Sequence, residues 1–381
     1  MANKHPSTNK QTSMTDQRWM RAAIAASRQA EGRSGENPPV GCAIISAKGQ
    51  LLSLGHTGAG GRPHAETQAM AKLTPRQLSG ATVYVTLEPC AHTGQTGPCA
   101  KALVVAGVAR VVLGVQDPDA RVNGAGMAIL RDAGIAVDLG VCADEVVGVL
   151  AGFLTRSRLQ RPFVTWKTAT SLDGMIALAD GKKRWLTGPD MRRYVHLLRS
   201  RVDGLLSAVG TVLADDPEFT CRNPGLSADS PHRFILDSDL RVPMSSALVR
   251  TASLVGVTLF CKSDTNADKR QELIDAGVEV KTLPVGAGRK LDLGACLRQI
   301  ADAGYNHILV EAGAGLSRSL LAQDLIDRIV WTQSQHLIGG DGIPAIAGLS
   351  QLALPAQTHY MQSDEGVIGD DRWITMERRP R

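Results

Sequence analysis

The segments His64-Ala65-Glu66, Pro89-Cys90 and Pro98-Cys99 constrain this chain more than anything else in it. One imidazole and two thiols are soft donors for a single metal ion. If they share an ion, the intervening chain must return its loop ends and helix starts to one edge of a sheet. Three N/S ligands leave one tetrahedral position open, the pattern of catalytic rather than structural zinc. Water in that position becomes hydroxide near neutral pH. Glu66, a carboxylate outside the ligand set, is then placed to relay a proton.

The order H-x-E, then P-C, then C is similar to that of the zinc nucleobase deaminases, and that similarity implies hydrolytic loss of a ring amine with Glu66 as proton shuttle. Their common C-x-x-C ending is absent, because eight residues separate Cys90 from Cys99. Pro98 directly before Cys99 predicts a clean helix start at Ala100–Val105, so the insert Ala91–Pro98 reads as a reshaped substrate pocket. A thiolate at a helix N-terminus is stabilised by the helix dipole. His64 and Glu66, two apart at a helix start, cannot point the same way: one grips metal while the other reaches the open position. Taken singly, a histidine, a buried cysteine or a helical glutamate has an ordinary packing role. A structural zinc would need a fourth ligand, for which His56 and His92 are the nearby candidates.

At 381 residues the chain exceeds what one hydrophobic core usually serves, so two domains are expected. Apolar content of 43% and charged content of 21% suit a soluble globular protein. No apolar run approaches the roughly 20 residues that span a bilayer. Met1–Ser13 is polar without an apolar core, so no secretion signal is read there, and residues 1–14 are expected to form a disordered tail. The net charge of +5 is spread along the chain. That excludes an obvious nucleic-acid groove and suits small phosphorylated substrates. Seven cysteines, odd in number and irregular in spacing, make a poor disulfide framework and point to reduced thiols in the cytoplasm.

Strands alternate with helices throughout. Thr15-Asp16 predicts an N-cap for a helix over 16–31, followed by strands at Pro39–Ile45, Ala81–Leu87 and Arg110–Val115. Helices are expected at Ala65–Leu73, after Cys99 and over 124–133, with a strand at 135–141. This is the pattern of a three-layer α/β/α sandwich. Arg156–Pro162, polar, basic and proline-ended, reads as a connection, dividing the chain into 15–155 and 156–381. Beyond it come strands at Phe163–Lys167, Gly204–Val209, Phe234–Asp237, Leu254–Phe260, His307–Val310 and Arg328–Thr332, with a helix over Met191–Val202.

In the second half, Ile308–Val310 runs into Glu311-Ala312-Gly313-Ala314-Gly315-Leu316-Ser317, a strand leading through a glycine-rich turn to a helix start, where free N–H groups accept phosphate. Arg318 occupies the third glycine position, so this is not the Rossmann fingerprint. A nucleotide site of another fold fits better. Ser171-Leu172-Asp173-Gly174, Trp185-Leu186-Thr187-Gly188 and Thr211–Pro217 follow in an order that resembles the reductase domain of the bifunctional riboflavin-biosynthesis deaminase/reductases. The first half resembles their deaminase domain through Asn37-Pro38-Pro39-Val40-Gly41, Gly55-His56, His64-Ala65-Glu66 and Glu88-Pro89-Cys90-Ala91-His92. The longer spacing between the two cysteines belongs to that family, and the resemblance spans about residues 16–345.

The resemblance implies a cytidine-deaminase-like α/β/α sandwich followed by a dihydrofolate-reductase-like α/β domain. It implies deamination of a diaminopyrimidine phosphoribosylamine with zinc, then reduction of the ribosyl ring to ribityl with NADPH. Carried over residue by residue, His64, Cys90 and Cys99 hold zinc, and Asn37, His56 and His92 line the pyrimidine pocket. Gln95 stands where relatives often carry a basic residue. In the reductase half, Ala169, Trp185, Thr211, Asp215, Ser238 and the run Gly313, Ala314, Gly315, Leu316, Ser317, Arg318 and Ser319 match cofactor positions. Lys183, Arg199, Phe219, Arg222 and Glu311 match substrate positions, with Lys183, Arg199 and Arg222 expected to grip phosphate. A homo-oligomer, dimer or tetramer, is expected, without nucleic-acid or membrane partners. The competing enzyme reading is a zinc-dependent nucleoside or tRNA deaminase with a C-terminal binding domain; scarce aromatics, 4%, weigh against an RNA surface.

Overall fold

The computed structural model describes residues 13–93, 97–180, 184–286, 289–346 and 359–379. Gln95, Lys183 and the expected tail over residues 1–12 lie outside the described residues. The chain divides into two compact units, Met1–Arg158 and Leu159–Arg381.

In the first unit the elements run α1 (Met14–Ser27), β1 (Gly41–Ile45), β2 (Leu51–His56), α2 (Ala65–Met70), α3 (Pro75–Leu78), β3 (Thr82–Leu87), α4 (Cys99–Val105), β4 (Arg110–Val115), α5 (Ala125–Asp132), β5 (Ala136–Leu139), α6 (Ala143–Val149) and α7 (Ala151–Leu159). The first helix starts two residues earlier than the sequence suggested. Ser13, not Thr15, is its cap, with Oγ accepting the Asp16 N–H at 3.0 Å. Asp16 is engaged elsewhere: its carboxylate accepts from Arg110 Nη1 at 2.7 Å and from the Tyr84 hydroxyl at 2.7 Å. The sheet has strand order β2-β1-β3-β4-β5. Strand β1 is antiparallel to β2 and β3, whereas β3, β4 and β5 are parallel. Strands β1 and β3 are apolar on both faces because helices cover both, and Ile44, Val83, Val85, Leu103, Leu113 and Leu130 are fully buried. Burying each such side chain contributes about 1.5–3 kcal/mol.

The expected connection at Arg156–Pro162 is corrected by α7, which continues to Leu159. Arginine is a good helix former, and Arg156 and Arg158 in the last turn complement the negative end of the dipole. The helix stops at Gln160, which takes φ +52°, ahead of Pro162.

The second unit runs β6 (Phe163–Thr170), β7 (Met175–Leu178), α8 (Pro189–Arg199), β8 (Gly204–Ala208), α9 (Val209–Asp215), β9 (His232–Leu236), α10 (Ala247–Arg250), β10 (Val257–Cys261), α11 (Ala267–Asp275), β11 (Glu279–Thr282), α12 (Leu293–Asp302), β12 (His307–Glu311), α13 (Ala314–Ala322), β13 (Arg328–Gln333), β14 (Gly342–Pro344), β15 (Tyr360–Ile368) and β16 (Asp371–Arg378). Nine strands form one sheet in the order β11-β10-β9-β8-β12-β6-β13-β16-β15, with β14 and β7 as a separate ribbon. The strands from β11 to β13 are parallel, and the closing hairpin β15–β16 is antiparallel. Ligands of such sheets bind outside the carboxyl ends of parallel strands. Those ends carry Ala169, Ala208–Thr211, Leu236–Ser238 and Glu311–Gly313 on neighbouring strands.

The open end of β13 is fastened by charge. The Asp327 carboxylate accepts from Arg161 Nη1 and Nη2 at 2.6 and 2.8 Å, from Arg378 Nη2 at 2.8 Å and from the Val164 N–H at 2.9 Å. One buried carboxylate thereby joins the starts of β6 and β13 to the end of β16. No helix among the described residues is long and apolar enough to cross a membrane.

Candidate active sites

His64 caps the start of α2, Cys90 lies in the loop after β3, and Cys99 opens α4. Both α2 and α4 begin at this edge of the sheet, which gathers the three donors within 4.8 Å of one another. His64 Nδ1 lies 3.7 Å from Cys90 Sγ and 3.4 Å from Cys99 Sγ. Tetrahedral zinc with its usual bond lengths separates N and S ligands by about 3.5 Å, so the donor set fits zinc. The Cys99 N–H donates to Cys90 Sγ at 3.3 Å. Chiefly through its hydrogen bond with Cys99, the Cys90 thiol is pulled down to about 4. Hydrogen bonding to Cys90 raises His64 and Cys99. One thiol is thus already in its metal-ligating charge state.

Glu66 is in the first turn of α2, only 4% exposed. Burial pushes its carboxyl up to about 7, with the nearby His64 opposing the rise. A carboxyl balanced between its two forms near neutral pH suits a group that takes and returns a proton.

The three residues expected to line the pyrimidine pocket lie on different loops of this unit. His56 ends β2; its ring Nδ1 meets the Thr57 carbonyl at 3.1 Å, while its N–H donates to the Gln68 side chain on α2 at 2.9 Å. Asn37 is half-buried and packs on Gly61, which has φ +88°; a Cβ there would lie 2.0 Å from Asn37 Nδ2. His92 is half-buried, and its Nδ1 is a buried nitrogen without a hydrogen-bond partner. Unsatisfied buried nitrogens are uncommon.

Three of the residues expected at the reductase substrate site, Arg199, Phe219 and Glu311, lie against one another. Glu311 at the end of β12 pairs in register with Lys167 on β6. Its carboxylate accepts from Arg199 Nε at 2.6 Å and Nη2 at 2.9 Å, while Arg199 Nη1 donates to the Thr220 carbonyl at 3.0 Å. The Arg199 guanidinium also lies 5.8 Å from the centre of the Phe219 ring. Phe219 is buried with φ +54°. The Arg199 fork is engaged on Glu311, and that contact holds the Glu311 carboxylate in place. Sequence reasoning also passed over Lys167, whose pKa is lowered by burial. The signal was available as the one charged residue in a strand of apolar and threonine side chains.

Other expected residues are more dispersed. Arg222 is exposed and pairs with Glu218 at 3.0 Å. Trp185 is exposed beneath the Arg192 guanidinium, 4.9 Å from its ring centre. Ala169 sits on β6, Thr211 and Asp215 on α9, and Ser238 just after β9. Gly313 caps α13, and the Ser317 and Ser319 hydroxyls donate to the Gly313 and Gly315 carbonyls at 3.3 and 3.0 Å. Asp173 clasps its own turn to a distant loop by accepting from the Ser171 hydroxyl at 2.6 Å and the Gly339 N–H at 2.6 Å.

A zinc-type deaminase site on the first α/β unit and a dihydrofolate-reductase-like unit following it in sequence define a two-activity deaminase/reductase. Residues 13–115 match the cytidine and deoxycytidylate deaminase zinc-binding region, and residues 162–368 match the RibD C-terminal domain. The chain is 35% identical to riboflavin biosynthesis protein RibD of Aquifex aeolicus, over 95% of this chain and 98% of that one. It is 36% identical to RibD of Escherichia coli, over 92% and 96%. The solved structure of Acinetobacter baumannii RibD matches with a TM-score of 0.84 at 32% identity, covering 96% of this chain and 99% of the other. The chain belongs to the RibD family, the bifunctional, zinc- and NADPH-using deaminase/reductases of riboflavin biosynthesis. That finding sets aside the nucleoside or tRNA deaminase reading.

Proposed function

We propose that the first unit hydrolytically removes one ring amine from 2,5-diamino-6-ribosylamino-4(3H)-pyrimidinone 5′-phosphate, and that the second reduces the ribosyl side chain of the product to ribityl. The observation that carries the first step is the convergence of His64, Cys90 and Cys99 within 4.8 Å, with Glu66 buried two residues on from His64. Zinc bound by these three supplies the Lewis acidity that makes water nucleophilic at neutral pH. Glu66 accepts the proton of that water and delivers it to the departing amine. Asn37, His56 and His92 hold the polar edge of the pyrimidine.

In the second unit NADPH supplies the hydride. Ala169, Trp185, Thr211, Asp215, Ser238 and Gly313–Ser319 hold the cofactor at the carboxyl ends of the strands. Glu311, oriented by Arg199, and Phe219 face the sugar; Lys183 and Arg222 take the phosphate. Seven unbridged cysteines support a reducing, cytoplasmic setting, and we read the enzyme as a homo-oligomer with small-molecule partners alone.

The test is an assay of each half-reaction on purified protein with and without a zinc chelator. Chelation should stop deamination while leaving NADPH oxidation by the deaminated phosphoribosylamino-uracil intact. NADPH oxidation that ignored this substrate, or deamination that survived metal removal, would overturn the reading.

A further inference from the structure

Glu88 is the residue two before the ligand Cys90, and no role in the chemistry above requires it. It is 3% exposed, an unusual place for a carboxylate. Its Oε2 accepts the N–H groups of Asp117 and Gly124 at 3.3 and 3.0 Å, and its Oε1 accepts the N–H of Met127 at 3.1 Å. All three donors belong to the segment that leaves β4 and enters α5. The contact is tight on its other side too: a Cβ at Gly126 would come within 2.1 Å of the Pro89 carbonyl oxygen. The β4–α5 segment therefore rests directly on the Glu88-Pro89-Cys90 turn.

Within this segment Asp117 Oδ1 accepts the Asp119 N–H at 2.9 Å. Strands β3 and β4 are parallel neighbours, so the two loops leave the same end of the sheet, where ligands of parallel strands bind. We infer that Glu88 is a positioning residue of the deaminase site: its carboxylate fastens the loop after β4 to the metal-ligand loop after β3, and so fixes the pocket wall beside His92. The inference rests on the deaminase reading of this unit.

Glu88→Gln is the informative change. The amide keeps one acceptor oxygen and turns an NH₂ group towards at least one backbone N–H, donor against donor, so the loop loses its anchor at nearly constant volume. Outer-shell partners of this kind are worth about ten- to a hundred-fold in activity. The expected result is a fall of that size in deaminase kcat/KM, carried mainly by KM, with zinc content unchanged and the reductase activity of the same preparation intact. Unchanged deaminase kinetics would overturn the inference. So would a loss of activity in proportion to lost zinc, which would make Glu88 a support for the metal alone. Wild-type protein that deaminated no substrate would instead refute the deaminase reading. Amide hydrogen exchange on the wild type gives a second measurement that no folding defect affects: slow exchange at Asp117, Gly124 and Met127 is expected, and fast exchange at all three overturns the proposal.

Discussion

Replacing Arg199 with methionine separates the role its charge suggests from the role its surroundings give it. The substitution removes two charge-assisted bonds to Glu311, at 2.6 and 2.9 Å, and one to the Thr220 carbonyl at 3.0 Å. The paired side chains are 11% and 13% exposed, so Glu311 would be left as a nearly buried, uncompensated carboxylate. Breaking a buried pair from one side costs about 3–5 kcal/mol. Lys167, in register beside Glu311, compensates part of this, which sets the expectation near ~3 kcal/mol. For a unit of this size that is a fall in melting temperature of roughly 6–12 °C. The assay is thermal or urea unfolding followed by tryptophan fluorescence, since Trp166, Trp185, Trp331 and Trp373 lie in the second unit and only Trp19 in the first. A cycle adding Glu311→Leu should recover part of the loss, with a coupling towards the upper end of the roughly 0.5–3 kcal/mol seen for contacting pairs. If Arg199→Met unfolded within about 1 kcal/mol of wild type while the KM for the phosphorylated substrate rose steeply, the guanidinium would be a phosphate ligand and the ion-pair argument would fail.

Glu66→Gln should retain stoichiometric zinc and lose deamination by about 10²–10⁴-fold, the usual worth of a positioned acid–base group; a wild-type rate would remove Glu66 from the proton path. Asp16, held down to about 2 chiefly by its hydrogen bond to Arg110, has a depressed folded-state pKa. Its contribution is therefore complete above the unfolded value of about 3.9 and disappears as pH falls through about 2. Acid unfolding of the first unit should steepen across that window, and Asp16→Asn should flatten it; identical acid profiles for the two proteins would contradict the assignment.

What the sequence revealed and what it hid divide along sequence distance. Short apolar runs such as Arg110–Val115 and His307–Val310 are strands because helices cover both faces, and that burial is written locally in their composition. The metal site was legible for a related reason: His64, Cys90 and Cys99 are chemically unusual, and prolines mark two of the loops that carry them. The Arg199–Glu311 pair was not legible, because its partners are 112 residues apart and meet only through the order of the strands. Both residues were picked out as neighbours of substrate, yet nothing local says that one neutralises the other. The hairpin β15–β16 escaped notice because β15 lies at the sheet edge and is largely exposed, so it lacks the apolar signature of the inner strands. The helix α7 was hidden by the habit of reading basic, proline-ended stretches as linkers, although arginines favour helices.

That hairpin has a consequence for how the chain is made. Strand β13 has β6 on one side and β16 on the other, so a nascent chain carries an open row of backbone donors and acceptors along Ile329, Val330 and Trp331 until residues 371–378 have left the ribosome. At about 5–20 residues per second, that interval lasts a few seconds. During it the most adhesive border of the sheet is bare, and a polypeptide stalled between the two strands offers a template for another copy of itself.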